Sequence, residues 1–109
     1  MSSNTQHVEH QLRREGGAWL KNLRENVGLT QRAFSVTVGT DYYTFISQIE
    51  NGRGRVPPER YKVWAEVLKV DPKEFMQGLM RYYDPYGYEM LFGEFPQPRD
   101  VGDDKRNVA

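Results

Sequence analysis

Apolar residues recur at helical spacing in successive stretches of the chain, and these stretches are separated by capping residues, glycines and prolines. The first stretch predicts a helix that starts at about Glu15 or Gly17 and ends at Asn26. Its apolar face is formed by Trp19, Leu20, Leu23 and Val27. Residues 1–12 show no hydrophobic period, so we expect a flexible arm there.

Between residues 30 and 52 the pattern predicts two short helices joined by a tight turn at Gly39. The first follows Thr30, whose hydroxyl can accept a backbone N–H as an N-cap, and runs to about residue 38. The second starts after Thr40 or Asp41 and runs to about residue 50. Its inner face is Ile46 and Ile49, extended by Tyr42 or Phe45. Its other face is Tyr43, Thr44, Ser47 and Gln48.

Three further helices are predicted from start signals in which proline takes the first helical position. One runs from Pro58 or the next residue to about residue 68, one starts at Asp71-Pro72, and a short one starts at Asp84-Pro85. The sequence therefore predicts an all-α fold, with five helices and a short C-terminal helical extension. The expected divisions are a flexible arm over 1–12, a helical domain over 13–83, the extension over 84–92 and a disordered tail over 93–109.

Charge is unevenly distributed although the formal net charge is zero. Residues 13–62 carry nine Lys or Arg against five Asp or Glu, which is a net +4, and residues 63–109 carry six against nine, which is −3. A basic front and an acidic back suit a molecule that turns one side to nucleic acid.

Composition also excludes several classes of protein. No cysteine is present, which rules out a disulfide framework and suits a reducing, cytoplasmic setting. No apolar run reaches the length of a membrane span. His7 and His10 have no further clustered ligand, so we expect no metal site and no cofactor. Without a nucleophilic cysteine, a glycine-rich phosphate loop or a Ser-His-Asp arrangement, an enzyme is not expected.

Four segments in order, LKNLREN followed by GLTQ, then VG, ISQIENG and WAEVLKVDPKEF, resemble the lambda-repressor-like helix-turn-helix family, also called the Cro/phage-repressor or Xre family. The resemblance extends from Leu20 to Phe75 and implies five helices, with helix 3 in the major groove of duplex DNA. Two positions depart from the family pattern. The turn GTDYYTFIS is one residue longer than usual, and Lys69 stands where a glycine commonly ends helix 4.

The resemblance also implies roles for individual residues. Gln31 would contact a phosphate, and further backbone contacts would come from Asn51 and Arg53. The base-reading positions would be Tyr43, Thr44 and Gln48. Arg24 and Glu50 match a pair that forms a partly buried ion pair between helices 1 and 3.

Side-chain chemistry adds further candidates for DNA contact. Arg32 and Arg55 suit phosphates, while Ser47 lies on the outer face of helix 3. Core packing and DNA contact are equally good interpretations of Tyr42. The full set of DNA-binding candidates is Gln31, Arg32, Tyr42, Tyr43, Thr44, Ser47, Gln48, Asn51, Arg53 and Arg55.

These observations predict a sequence-specific, double-stranded-DNA-binding transcriptional regulator, most simply a repressor that acts as a homodimer. The apolar stripe expected at the dimer contact is Met80, Tyr83, Tyr86, Met90, Leu91 and Phe92. Two alternatives stay open at this stage. One is a protein-interaction module that keeps the fold, such as an antitoxin or anti-activator, and the other is an accessory DNA-binding factor of a mobile element.

Overall fold

The computed structural model describes residues 2–40 and 42–99, and in these residues it contains helices and no strand. The all-α prediction is confirmed. The α-helices are α1 (Ser2–Asn26), α2 (Gln31–Val38), α3 (Tyr43–Glu50), α4 (Tyr61–Leu68), α5 (Pro72–Tyr83) and α6 (Pro85–Phe92), and a short 3₁₀ helix (Pro58–Arg60) precedes α4. Among the described helices, none has both the length and the apolar character needed to cross a bilayer.

Helix α1 is much longer than the sequence pattern indicated. It begins at Ser2 rather than at Glu15 or Gly17, so the segment expected to be a flexible arm is helical, and Leu12 is fully buried. The glycine pair that looked like a helix start lies inside α1, where it permits close packing. A methyl group at Gly17 would overlap the backbone carbonyl of Glu50, and one at Gly16 would lie 2.6 Å from Cβ of Tyr82.

Most helix ends follow the predicted capping chemistry. The Thr30 hydroxyl accepts the backbone N–H of Ala33 at 3.0 Å, and Gly39 ends α2 with φ of 81°. The carboxylates of Asp71 and Asp84 cap α5 and α6. These short-range hydrogen bonds fix where each helix starts.

Two helix starts differ from the prediction. The N-cap of α3 is Tyr42, which makes no side-chain capping bond; Thr40 is therefore not the cap, and Asp41 lies outside the described residues. The fourth helix starts with a 3₁₀ turn over Pro58–Arg60 before α4 proper. Tight 3₁₀ turns are common at helix termini, so the proline signal marked the right place but not the type of turn.

Lys69 ends α4 in the left-handed conformation, with φ of 62° and ψ of 41°. The backbone N–H of Lys69 bonds to the Glu66 carbonyl, and that of Val70 bonds to the Ala65 carbonyl, both at 3.1 Å. The helix therefore ends in the way that a glycine would permit, although the residue has a Cβ.

One hydrophobic core joins the first five helices. Helix α1 packs on α5 and α3, while α2 packs on α3 and α4. Phe34 meets Trp64 edge to face at 4.9 Å between ring centroids. The buried cluster comprises Leu20, Phe34, Val38, Ile46, Ile49, Val56, Trp64, Ala65, Leu68, Phe75 and Leu79. This core is the rigid support for the exposed face of α3.

The segment 93–99 has no regular secondary structure, but it is docked on the helices rather than free as the sequence suggested. Pro96 is fully buried. The carboxylate of Glu15, only 3% exposed, accepts the backbone N–H of Arg99 at 2.7 Å and the hydroxyl of Tyr82 at 3.2 Å. The rest of the expected tail, 100–109, lies outside the described residues.

Candidate nucleic-acid interface

Helix α3 has one buried and one exposed side. Ile46 and Ile49 are fully buried, which holds the helix against the core. On the other side Thr44 and Gln48 are exposed, and Tyr43 is 40% exposed. Ser47 is partly exposed between them. The structure thus brings together on the surface the side chains predicted to read bases.

Tyr42 lies on the surface at the start of α3, where it is 72% exposed. Phe45 takes the inner position instead and packs partly buried against the core. Of the two interpretations left open by the sequence, core packing is therefore excluded for Tyr42. Its ring extends the exposed row of α3 by one residue toward the turn.

A buried network of side chains fixes α3 to α1 and α2. Glu50 receives hydrogen bonds from Arg24 Nε at 2.7 Å and from Arg24 Nη2 at 3.1 Å, a two-pronged ion pair. Arg24 Nη1 donates to the Leu29 carbonyl at 2.6 Å. Hydrogen bonding to Glu50 raises the pKa of Arg24 against the opposing effect of burial. The ion pair implied by the resemblance is present, and it is fully satisfied at both ends.

Gln31 also belongs to this network. Its Nε2 donates to Glu50 Oε1 at 2.9 Å, and the side chain is partly exposed at the start of α2. A glutamine amide has two N–H donors and an acceptor oxygen. One donor is used by Glu50, so a second donor and the oxygen stay free for a phosphate or a base at the surface.

A family model described as a helix-turn-helix domain matches residues 17–79. The chain belongs to the helix-turn-helix family. The matched domain is of the Xre/lambda-repressor-like class, which indicates a DNA-binding regulator and is typically not enzymatic. No curated protein matches the chain. The match covers the segment from the second part of α1 to most of α5, and it leaves out residues 2–16, α6 and the docked segment 93–99.

Two cationic side chains of the helix-turn-helix domain lie beside the turn between α2 and α3. The guanidinium carbon of Arg32 is 4.3 Å from the ring centroid of Tyr43, a cation–π contact that orients both groups. Arg60 lies against the turn, with Nη1 3.5 Å from the position of a Cβ on Gly39. Arg60 was not among the residues predicted to contact DNA. The only feature of the sequence that points to Arg60 is its place in the basic half of the chain.

The loop that follows α3 carries the other predicted phosphate contacts. Asn51 and Arg53 are exposed, as a backbone contact requires. Arg55 is exposed too, but its Nη2 donates to the Tyr83 carbonyl at 3.0 Å. Arg55 is therefore oriented toward the end of α5.

The residues predicted for a dimer contact are only partly brought together. Met90 is 86% exposed and Leu91 66%, and with Tyr86 and Phe92 they leave an apolar surface on α6 that we call the α6 patch. Met80 and Tyr83 are only partly exposed. Tyr83 packs against the core, and its hydroxyl accepts the backbone N–H of Val56 at 3.3 Å. Tyr83 thus belongs to the core rather than to the α6 patch, although it lines one cleft with Tyr86.

Within the described residues no group of three or more His, Cys, Asp or Glu side chains is placed to hold a metal ion. The carboxylate of Glu50, at the end of α3, is engaged by Arg24 and Gln31. What the interface offers is a row of amide and hydroxyl groups flanked by guanidinium groups.

Proposed function

We propose that this chain is a sequence-specific regulator of transcription that binds duplex DNA and inserts α3 into the major groove. The observation that supports this most directly is the exposed row Tyr43, Thr44 and Gln48 on a helix whose opposite side is buried. A helix held in this way can approach base edges without moving, because its support is the core itself.

Each side chain of the row has a suitable target. The Gln48 amide can donate to and accept from an adenine in the major groove, and Thr44 offers a methyl group and a hydroxyl to a thymine or a phosphate. Gln31, Asn51 and Arg53 would bond the phosphates on either side. Ser47, Tyr42, Arg32 and Arg55 would add contacts at the edge of this surface.

Repression is the form of regulation that we propose, since it needs only occupancy of a promoter. A second copy of the chain would bind through the α6 patch, so that two α3 helices face successive turns of the groove. Half-sites would then lie about 34 Å apart in a palindromic operator. The protein would act in the compartment that holds this DNA.

The test starts with selection of preferred duplexes from a randomised pool, followed by fluorescence-anisotropy titration of the preferred and of a scrambled duplex. We expect Gln48→Ala to reduce discrimination at one base pair by about 1–3 kcal/mol. Arg53→Ala should weaken the two duplexes equally, because a phosphate contact carries no sequence information. Lys73→Ala, an exposed charge at the start of α5, serves as control. Absence of binding to every duplex at 50 mM salt would refute the proposal.

A further inference from the structure

Two segments that each carry two arginines approach each other where α1 crosses the loop that follows α3. Gly52, with φ of 81°, lies so close to α1 that a methyl group on it would be 3.0 Å from Cα of Arg14. The same methyl group would be 3.1 Å from the carbonyl carbon of Arg13. Arg53 and Arg55 follow in the loop, so two arginines of each segment lie within three residues of this crossing.

These arginines form no salt bridge among the described residues, although the carboxylate of Glu9 acts on the charge of Arg13. None of the salt bridges there involves Arg13, Arg14, Arg53 or Arg55. The carboxylates of α1 on either side of Arg13 and Arg14 in the sequence accept hydrogen bonds from other residues. Glu9 accepts the Tyr86 hydroxyl at 2.5 Å, and Glu15 is turned toward Tyr82 and Arg99.

Two of the four arginines converge on one aromatic ring. The guanidinium carbons of Arg13 and Arg55 lie 5.5 and 5.0 Å from the ring centroid of Tyr83. Burial and then the positive charge of Arg55 lower the pKa of Arg13, against the smaller opposing effects of Tyr83 and Glu9. A bound anion would therefore relieve a repulsion that already exists in the protein alone.

We propose that Arg13, Arg14, Arg53 and Arg55 form a single phosphate-binding surface, and that through it the N-terminal half of α1 contacts the DNA backbone. This inference rests on the proposed function for the source of the phosphate. Arg53 and Arg55 lie inside the matched helix-turn-helix domain, whereas Arg13 and Arg14 precede it. The extended α1 thus adds two cations to the edge of the surface at the C-terminal end of α3.

The hydrogen-bonding chemistry of guanidinium groups predicts how this surface would contribute to DNA affinity. A guanidinium group binds phosphate oxygens through parallel N–H donors, and phosphates are the same at every base pair. Arg13 is accessible to such a ligand, because it lines a cleft of about 350 Å³ together with Gln6, Glu9, His10 and Tyr86, and the Glu9 carboxylate there accepts the Tyr86 hydroxyl. The surface should therefore raise affinity and its salt dependence without changing sequence preference.

The first arm of the test measures DNA affinity between 50 and 200 mM salt on a preferred and a scrambled duplex. Arg13→Gln and Arg14→Gln should each reduce the slope of log K against log salt by about 1, on both duplexes alike. Over this salt range each variant would then lose roughly 3- to 4-fold less affinity than the unaltered chain.

Two variants control for charge. Arg14→Lys keeps the charge and should keep the slope. Lys73→Gln removes an exposed charge ten residues before Tyr83 on α5, about 15 Å away along the helix, and should also leave the slope unchanged. Thermal unfolding followed by circular dichroism establishes that each variant is folded. Arg13→Gln is expected to keep or raise the midpoint, since it removes a repelled charge.

The second arm titrates inorganic phosphate into the ¹⁵N-labelled protein and follows the Nε–Hε resonances of the arginines by NMR. If the unaltered chain binds no duplex, the proposed function fails, and saturable shifts at Arg13 and Arg14 would still support a surface for a free phosphate compound. If DNA is bound but the slopes of both glutamine variants equal that of the unaltered chain, the proposed contact between α1 and the DNA backbone is wrong. Unchanged slopes together with unshifted resonances would overturn the phosphate surface altogether.

Discussion

Glu50 is the residue that fixes the orientation of α3. It lies on the buried side of the helix and accepts hydrogen bonds from two atoms of Arg24 and one of Gln31. These bonds tie the end of α3 to α1 and to the start of α2. Because both charges are almost fully removed from water, each depends on the other for compensation.

Loss of one partner should therefore be more harmful than loss of both. We expect Arg24→Met or Glu50→Met alone to lower the free energy of unfolding by about 3–5 kcal/mol, because each leaves an uncompensated buried charge. The double variant should lose less than either single variant, measured by urea unfolding. Single losses below about 1 kcal/mol that add in the double variant would contradict this account.

Lys69 is a second residue whose effect is testable. A non-glycine residue in the left-handed conformation costs about 1–2 kcal/mol of stability, which glycine would avoid. Glycine also makes the unfolded chain more flexible, which lowers stability by about 0.4–1 kcal/mol and offsets part of this gain. Lys69→Gly should therefore raise the free energy of unfolding by up to about 1 kcal/mol in urea titrations. The matched control is Glu66→Gly in the exposed middle of α4, which should lower it by about 1 kcal/mol. The same sign for both substitutions would refute the strain at Lys69.

Among the helices, α1 contacts both α5 and α3. Its Gly16-Gly17 pair lets it approach α5 on one side and the end of α3 on another. Glycine lowers helix propensity, so a close approach must compensate at these positions. The position of α3 relative to the rest of the domain therefore depends on α1 having no side chain at Gly17.

A methyl group where α1 approaches the end of α3 should disturb the DNA-binding face of α3. Gly17→Ala would overlap the Glu50 carbonyl, so we expect a loss of about 1–3 kcal/mol in the free energy of unfolding and weaker DNA binding. The control is Gly54→Ala, whose methyl group would meet Ile49 at an ordinary 3.5 Å. It should change stability by less than about 0.5 kcal/mol. Equal tolerance of both substitutions would show that the crossing is not tightly packed.

For the molecule as a whole, the matched domain accounts for the second part of α1, for α2 to α4 and for most of α5, whereas α6 adds a surface of another kind. Met90, Leu91, Phe92 and Tyr86 leave large apolar groups in contact with solvent. Large apolar side chains exposed together on one short helix often mark a site of association. In the proposed function its occupant is the α6 patch of a second copy.

Sedimentation velocity tests this association. The unaltered chain should sediment as a dimer at micromolar concentration, and Met90→Lys should shift it to monomer by placing a charge at the most exposed residue of the α6 patch. Met76→Lys is the matched control, because Met76 is an exposed methionine on α5 outside the patch. A monomer for the unaltered chain at all concentrations would remove the dimer and leave DNA reading by single domains.

Several features of this fold were predictable because their causes act within a few residues. Capping by Thr30, Asp71 and Asp84 is a contact over two or three positions, and the period of Ile46 and Ile49 defines the inner side of α3. Helix ends and exposed faces follow from such short-range chemistry. The same local cues misjudged α1, since the Gly16-Gly17 pair resembles a helix start unless its partners in space are known.

Other features depend on contacts between distant parts of the chain, for which no local pattern exists. Glu15 holds a backbone N–H that is 84 positions away, and Arg55 is oriented by a carbonyl 28 positions away. The burial of Pro96 and the approach of Gly52 to the backbone of Arg13 and Arg14 have the same origin. Such contacts form only when packed helices bring their partners together, because their free energy comes from the shared core and not from neighbouring residues.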